Sequence, residues 1–234
     1  MGNANRNVKS IKTTKENNNL SIVIPIAGAG SKTKSFGPKS LLNIRGTALI
    51  ERQLNIIYDV YPTAEVILVV GFEYQKIIKK INRRYPVKYV YNSQYDIYGQ
   101  SLSIAMGLNV ISNNKVLVIY GDILFNKYSI NLQLDNSTLV VDTKEQILGN
   151  KPGVSVDNNA VSIISHGLKT KWGQITLLMG DELKYMQNIL INTESYKYFG
   201  YESLNNCIKR GGKFLAVESP GQKLYEINSI KDIL

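Results

Sequence analysis

Residues 20–42 read LSIVIPIAGAGSKTKSFGPKSLL. The Ile- and Val-rich run over 20–26 predicts a buried strand, the turn behind it holds Gly28 and Gly30, and cations follow at Lys32, Lys34 and Lys39. That order describes a phosphate cradle. Glycine tolerates positive φ and lets backbone N–H groups approach an anion, while nearby lysines neutralise the charge those amides hold. A glycine turn after a strand is also common in α/β domains without a ligand there, so the surrounding chain has to decide.

Outward from this stretch, segments alternate. The spacing predicts a helix over 48–61, a strand over 65–70, a basic helix from 74, a strand over 87–91, a helix over 101–111 and a strand over 115–120 ending at Gly121-Asp122. Strands separated by helices pair in parallel through right-handed crossovers. The resulting doubly wound sheet places its site at the carboxyl ends of its strands. The second half reads differently, with short strands over 138–141, 153–156, 160–164 and 174–178 and a hairpin turn at Asp157-Asn158-Asn159. Helices are expected over 181–190 and 201–210, strands over 214–218 and 224–228, and a last helical turn to Leu234.

Composition sets the bounds. Hydrophobic residues at 44% and charged residues at 20% over 234 positions suit a globular chain with one sizeable core. A net charge of +10 admits nucleic acid, an anionic surface or a phosphorylated small substrate. Part of that excess is local. Residues 1–18 carry Arg6, Lys9, Lys12 and Lys15 and few apolar side chains, so they are expected to form a disordered basic tail able to touch an acidic partner. Residues 19–234 are expected to form a single domain. Lys76, Lys79, Lys80, Arg83, Arg84 and Lys88 form a second basic run, interleaved with Ile77, Ile78 and Ile81 as on the solvated face of a helix. Cys207 is the only cysteine, which excludes an intramolecular disulfide and a cysteine-based zinc site. No apolar run nears the ~18 residues a membrane span needs. A cytoplasmic setting is expected.

Three stretches of the chain carry candidates for chemistry. His166, the only histidine, falls in a loop-like Ser165-His166-Gly167 and is expected to be a surface turn residue. Asp122 follows an apolar strand and a glycine, so its carboxylate lies at a carboxyl end of the sheet. A carboxylate facing nucleotide phosphates needs a divalent cation between them, with Mg²⁺ or Mn²⁺ the expected ion. Glu226 and Asn228 share a face if 224–228 is a strand, and both offer oxygen. Together these features describe a grip on a nucleoside triphosphate. Such a site needs no histidine base, because a substrate phosphate oxygen is already nucleophilic at neutral pH.

These residues resemble the sugar-phosphate and phosphocholine nucleotidyltransferase superfamily, including its MobA-like and cytidylyltransferase-like members, with a glycosyltransferase-A-like fold. Ile26-Ala27-Gly28-Ala29-Gly30-Ser31-Lys32 followed by Pro38-Lys39-Ser40-Leu41-Leu42 resembles the opening motif. Val69-Val70-Gly71-Phe72, Asn92, Gly99-Gln100-Ser101-Leu102, Gly121-Asp122, Trp172-Gly173 and Tyr225-Glu226-Ile227-Asn228 through Asp232-Ile233 follow collinearly. The resemblance implies an α/β fold, three-layer α/β/α around a doubly wound, mostly parallel mixed sheet. It also implies that Ala27 to Ser31 and Lys39 hold the nucleotide, that Lys39 and Lys32 grip its triphosphate, and that Asn92, Gln100 and Ser101 meet the base. Asp122 would bind Mg²⁺, with Glu226 or Asn228 completing the metal site. The implied reaction joins an NTP, CTP foremost, to a sugar phosphate, phosphocholine or polyol phosphate with release of pyrophosphate. Lys32 stands where most members carry Arg, and Asn228 where many carry Asp. Two alternatives stay open: a glycosyltransferase on the same fold, for which Asp122-Ile123-Leu124 lacks the second Asp, and a nucleotide-binding homologue without turnover.

Overall fold

The computed structural model describes residues 19–30, 34–144, 151–219 and 224–228. The expectations for the tail over 1–18, for Ser31 and Lys32, and for the closing turn with Asp232 and Ile233 lie outside those residues.

β1 (Leu20–Ile26) is buried along its whole length, as a strand covered on both faces must be. Single-turn 3₁₀ helices at Lys34–Phe36 and Lys39–Leu41 follow, then a small hairpin of β2 (Asn43–Ile44) and β3 (Thr47–Ala48). The alternating series is next: α1 (Leu49–Val60), β4 (Glu65–Val70), α2 (Tyr74–Ile81), β5 (Val87–Tyr91), α3 (Gln100–Leu108) and β6 (Lys115–Ile119). Behind β6 lie β7 (Ile123–Leu124), α4 (Lys127–Ile130), β8 (Thr138–Asp142), β9 (Pro152–Asp157), β10 (Ala160–His166) and β11 (Thr170–Met179). The described chain closes with α5 (Gly180–Ile191), α6 (Gly200–Lys209), β12 (Leu215–Glu218) and β13 (Tyr225–Glu226).

Among the described residues the main sheet runs β5-β4-β1-β6-β11-β8-β12-β10-β9. Its first four strands are parallel, whereas β11 runs antiparallel to both β6 and β8, so the whole sheet is mixed. The chain leaves β1 toward β4 on one side and returns to β6 on the other. That reversal is a topological switch point, where the loops after β1 and β6 diverge and leave a crevice. Alternation along β1 feeds two cores. Leu20, Ile22, Ile24 and Ile26 meet Ile50, Leu54 and Ile57 of α1 and Ile77 and Ile81 of α2. Val23, Ile67 and Val69 meet Ile104 and Leu108 of α3, Met186 and Ile189 of α5, and Leu204 and Cys207 of α6. Helices therefore cover the sheet on both faces.

Several boundaries differ from the pattern-based reading. β11 is ten residues long: a bulge between Trp172 and Thr176, with Gln174 at φ 57°, lets one strand run on past the break and pair with β6, β8 and β9. α3 stops at Leu108, where Val110 N–H turns back to the Gly107 carbonyl. β13 pairs only with the two residues of β7, so the strand expected over 224–228 does not extend to Asn228. The expected hairpin is present: Asn158 and Asn159 both take positive φ between β9 and β10, as a two-residue turn of the I′ kind requires. Among the described residues no helix is long and apolar enough to cross a membrane.

Candidate functional site

At the switch point a cleft of about 230 Å³ opens between the ends of β1 and β6, lined among others by Ala27, Gly28, Gly30, Lys39, Gln100 and Asp122. Gly28 is exposed, and a Cβ there would meet nothing within 4 Å. Gly30 takes φ 67°, a conformation that favours glycine. Ala27 is buried, and its carbonyl accepts the Phe72 N–H at 2.8 Å, which ties the loop after β1 to the loop after β4. The backbone of 27–30 thus forms the floor of the cleft.

Lys39 Nζ donates to Asp122 Oδ2 at 2.9 Å, with both side chains mostly buried. The other carboxylate oxygen, Oδ1, is buried without a hydrogen-bond partner among the described residues. An ionised oxygen left that way is costly unless something cationic meets it. Asp122 therefore fits a divalent cation. Glu226 is held next to it: it lies opposite Ile123 in the short β13–β7 pairing, and Ile227 N–H donates to the Asp122 carbonyl at 2.8 Å. Glu226 also pairs with Lys151 at 3.1 Å. Among the described residues no group of three or more His, Cys, Asp or Glu could hold a metal. Two carboxylates with substrate oxygens completing the shell are what Mg²⁺ ordinarily takes. Asn228 is half-buried just beyond the strand.

The turn bearing Asp122 is fixed from beneath by a residue the sequence reading missed. Gln53, buried on α1, donates from Nε2 to the Tyr120 carbonyl at 3.0 Å and to the Ile123 carbonyl at 2.8 Å. A Gln on an otherwise apolar helical face was the only signal. Gly121 permits the close approach, since a Cβ there would lie 2.1 Å from Ile26 Cγ2.

Two residues expected at the base are turned into the protein instead. The Asn92 side-chain amide is buried, donating to Ser103 Oγ at 3.0 Å and accepting from Gln94 N–H at 2.9 Å. Ser101 Oγ lies 2.8 Å from Ser203 Oγ in the contact between α3 and α6. Both are short polar side chains whose nearest partners lie inside, so they brace the cleft wall while Gln100, Ser103, Tyr95 and Tyr98 line it. The tyrosines and Ser103 carried no motif that would have flagged them.

A second cavity of about 490 Å³ adjoins the first and shares Gln100 and Asp122 with it. Its walls include Tyr120, Trp172, Phe199, Tyr201, His166 and Glu226. Tyr120 and Trp172 meet edge to face at 5.3 Å, and Phe199 stacks on Tyr201 at 5.9 Å. Burial, with the Asp122 charge adding to it, pushes the Tyr120 hydroxyl up, so that hydroxyl stays protonated. His166 is exposed, as a surface turn residue is expected to be, and it also lines this cavity, 3.3 Å from Tyr201 Oη. The end of β10 brings it there, which local sequence does not reveal.

The model of the MobA-like NTP transferase domain matches residues 22–138, the half containing β1 to β6 and the cleft. Curated relatives include the bifunctional protein GlmU of Methanococcus aeolicus, 28% identical over 81% of this chain and 46% of its own length. GlmU of Blochmanniella pennsylvanica is 29% identical over 63% of this chain and 34% of its own length. This chain thus spans less than half the length of either relative. Among solved structures, CTP:phosphocholine cytidylyltransferase of Streptococcus pneumoniae superposes with TM-score 0.75 at 18% identity, covering 92% of this chain and 96% of that one. Inositol-1-phosphate CTP transferase of T. maritima also gives 0.75, at 16% identity over 92% and 91% of the two chains. At such identities these structures show the shared fold.

Proposed function

Because the chain belongs to the family of MobA-like NTP transferase domains, we propose that it is a metal-dependent nucleotidyltransferase. It would join an NTP, CTP foremost, to a phosphorylated small acceptor and release pyrophosphate. The observation that carries this reading is the pair of adjoining cavities, about 230 and 490 Å³, that meet at Gln100 and Asp122. A two-substrate reaction needs such a shared boundary.

In this reading the backbone of Ala27, Gly28, Ala29, Gly30 and Ser31 receives the triphosphate, and Lys39 with Lys32 neutralises it. Gln100 reads the base, its amide offering both a donor and an acceptor. Asp122 and Glu226, with Asn228 beside them, hold Mg²⁺ or Mn²⁺. When bound, the cation draws charge from the triphosphate oxygens. An oxygen of the acceptor phosphate attacks the α-phosphorus, the bond to the bridging oxygen breaks, and pyrophosphate leaves with that electron pair. No proton has to be removed from the nucleophile, so the remaining work is positioning and charge neutralisation. Lys39 donates to Asp122 at 2.9 Å and lines the same cleft as Gly28 and Gly30, which supports its role at the triphosphate.

The preference for cytidine rests on the likeness to CTP:phosphocholine cytidylyltransferase and inositol-1-phosphate CTP transferase. The aromatic walls of the second cavity suit an acceptor whose far end presents C–H surface or an alkylammonium group. A cytoplasmic setting, where nucleoside triphosphates are supplied, suits this reading.

The test is to incubate the protein with Mg²⁺, each NTP in turn and a panel of phosphocholine, polyol phosphates and sugar phosphates, measuring pyrophosphate. Release that requires both substrates supports the reading. Nucleotide binding with no pyrophosphate across the panel would sink it in favour of a fold retained without turnover, and hydrolysis or transfer from a nucleotide sugar would point to a glycosyltransferase.

A further inference from the structure

On the far side of the Lys39–Leu41 turn, away from the cleft, a groove of about 580 Å³ runs between the β2–β3 hairpin and α2. Leu41 and Ala48 form an apolar floor, and Lys76, Lys79, Lys80 and Arg84 stand along one wall. Among the described residues two carboxylates answer these four cations. Glu73 takes Lys76 at 2.6 Å, while the buried Glu51 takes Lys80 at 3.2 Å and also Arg84. Lys80 and Arg84 reach Glu51 from the solvent side, and both stay about half exposed, so donors on each still face outward. The sequence alone suggested a solvated helix face; the hairpin turns that face into one wall of a concave site.

We infer that this groove docks an extended acidic segment of a partner protein. Lys76, Lys79 and Lys80 lie on one helical face, and the four-residue step from Lys76 to Lys80 rises ~6 Å. Alternate side chains of an extended peptide are ~6.8 Å apart, so successive acidic side chains can each meet a cation while the intervening aliphatic ones lie on Leu41 and Ala48. Among the described residues no aromatic side chain lines the groove, so none of them offers a nucleobase a stacking surface. The concavity likewise disfavours a flat anionic membrane. The wall shared with the Lys39–Leu41 turn puts the docked segment directly behind the residue proposed to hold the triphosphate.

The experiment uses the full chain and fluorescence anisotropy of a labelled peptide that alternates glutamate and leucine, with its glutamine counterpart as control. The acidic peptide is expected to bind, more weakly as ionic strength rises, and the glutamine peptide not to. The double variant Lys76→Glu/Lys79→Glu is expected to weaken binding about tenfold or more, as reversed charges facing the ligand do. Lys184→Glu/Lys209→Glu, which makes the same net charge change on α5 and α6 across the sheet, is expected to leave binding near wild type. The thermal midpoint of each variant checks that it folds, and the single variant Lys79→Glu serves if the double one does not. Equal weakening by both pairs would overturn the inference, since net charge alone would then explain it. So would a single-stranded oligonucleotide that binds more tightly than the peptide and is lost with the same groove variant.

Discussion

Asp122 shows how one side chain is asked to face two ways. One oxygen is held by Lys39 and the other is buried without a hydrogen-bond partner among the described residues, so among them the carboxylate is neutralised on one side. Lys39→Ala is expected to lower kcat by about 10²–10³, the usual loss when one charge-stabilising donor is removed from a reacting phosphoryl or acyl centre. Asp122→Asn is expected to lower activity comparably and to raise the Mg²⁺ concentration needed for half-maximal rate, read from pyrophosphate release. A change in neither would mean that the site is misplaced. Glu65 makes a second point at this scale. Burial raises its pKa, but hydrogen bonds from Lys88, Ser21 and Ser112 outweigh that and bring it from 4.5 to about 2. The folded state therefore holds this carboxylate ionised more strongly than the unfolded state does. The stability it contributes is complete above pH 4.5 and is lost as pH falls toward 2. Glu65→Gln is expected to flatten that acid limb in urea titrations and to cost about 1–2 kcal/mol at neutral pH, solvent screening of the half-exposed Lys88 keeping the figure small.

At the scale of elements, α1 is as much a support for the site as a cover for the sheet. Gln53 from its buried face clamps the Tyr120 and Ile123 carbonyls on either side of Gly121-Asp122. Gln53→Leu keeps the volume and removes the donor, leaving two buried carbonyls unpaired at a cost of about 1–3 kcal/mol. A lower thermal midpoint and a fall in kcat with native circular dichroism are expected; an unchanged kcat would show that the turn holds itself. The elements of the first half were legible because each strand or helix carries its own period: β1, β4 and β6 are continuous apolar runs, and α1 repeats apolar residues at helical spacing. α4, capped by Asn126 onto the Tyr128 and Ser129 amides, was too short to show a period. β11 was read as half its length because its bulge breaks the alternation at Gln174.

For the molecule as a whole, the two cores lie on opposite faces of one sheet, and Cys207 sits wholly buried in the second. Burial, with Glu182 adding to it and Arg210 opposing, pushes its thiol up to about 12. The thiolate is the reactive form, so a disulfide reagent is expected to leave the native protein unlabelled at neutral pH. Labelling should rise with urea along the same curve as the loss of tyrosine and tryptophan signal. Rapid labelling without denaturant would show that the layer of α5 and α6 opens independently of the sheet.

While the ion pair between Lys39 and Asp122, 83 residues apart, came from the fold, the sequence by itself determined the alternating α/β order, the glycine turn after β1, and those two residues as separate charged candidates. These follow from local period, backbone freedom and side-chain charge, all of which are written within a few residues. Tertiary structure alone decided what meets across long separations. It brought Gln53 to the turn of Asp122, turned Asn92 and Ser101 inward, carried His166 and Trp172 to a second cavity, and set the basic face of α2 against a hairpin. Each of those outcomes depends on which strand lies next to which and on how the packed cores orient the loops, and no residue specifies that for itself.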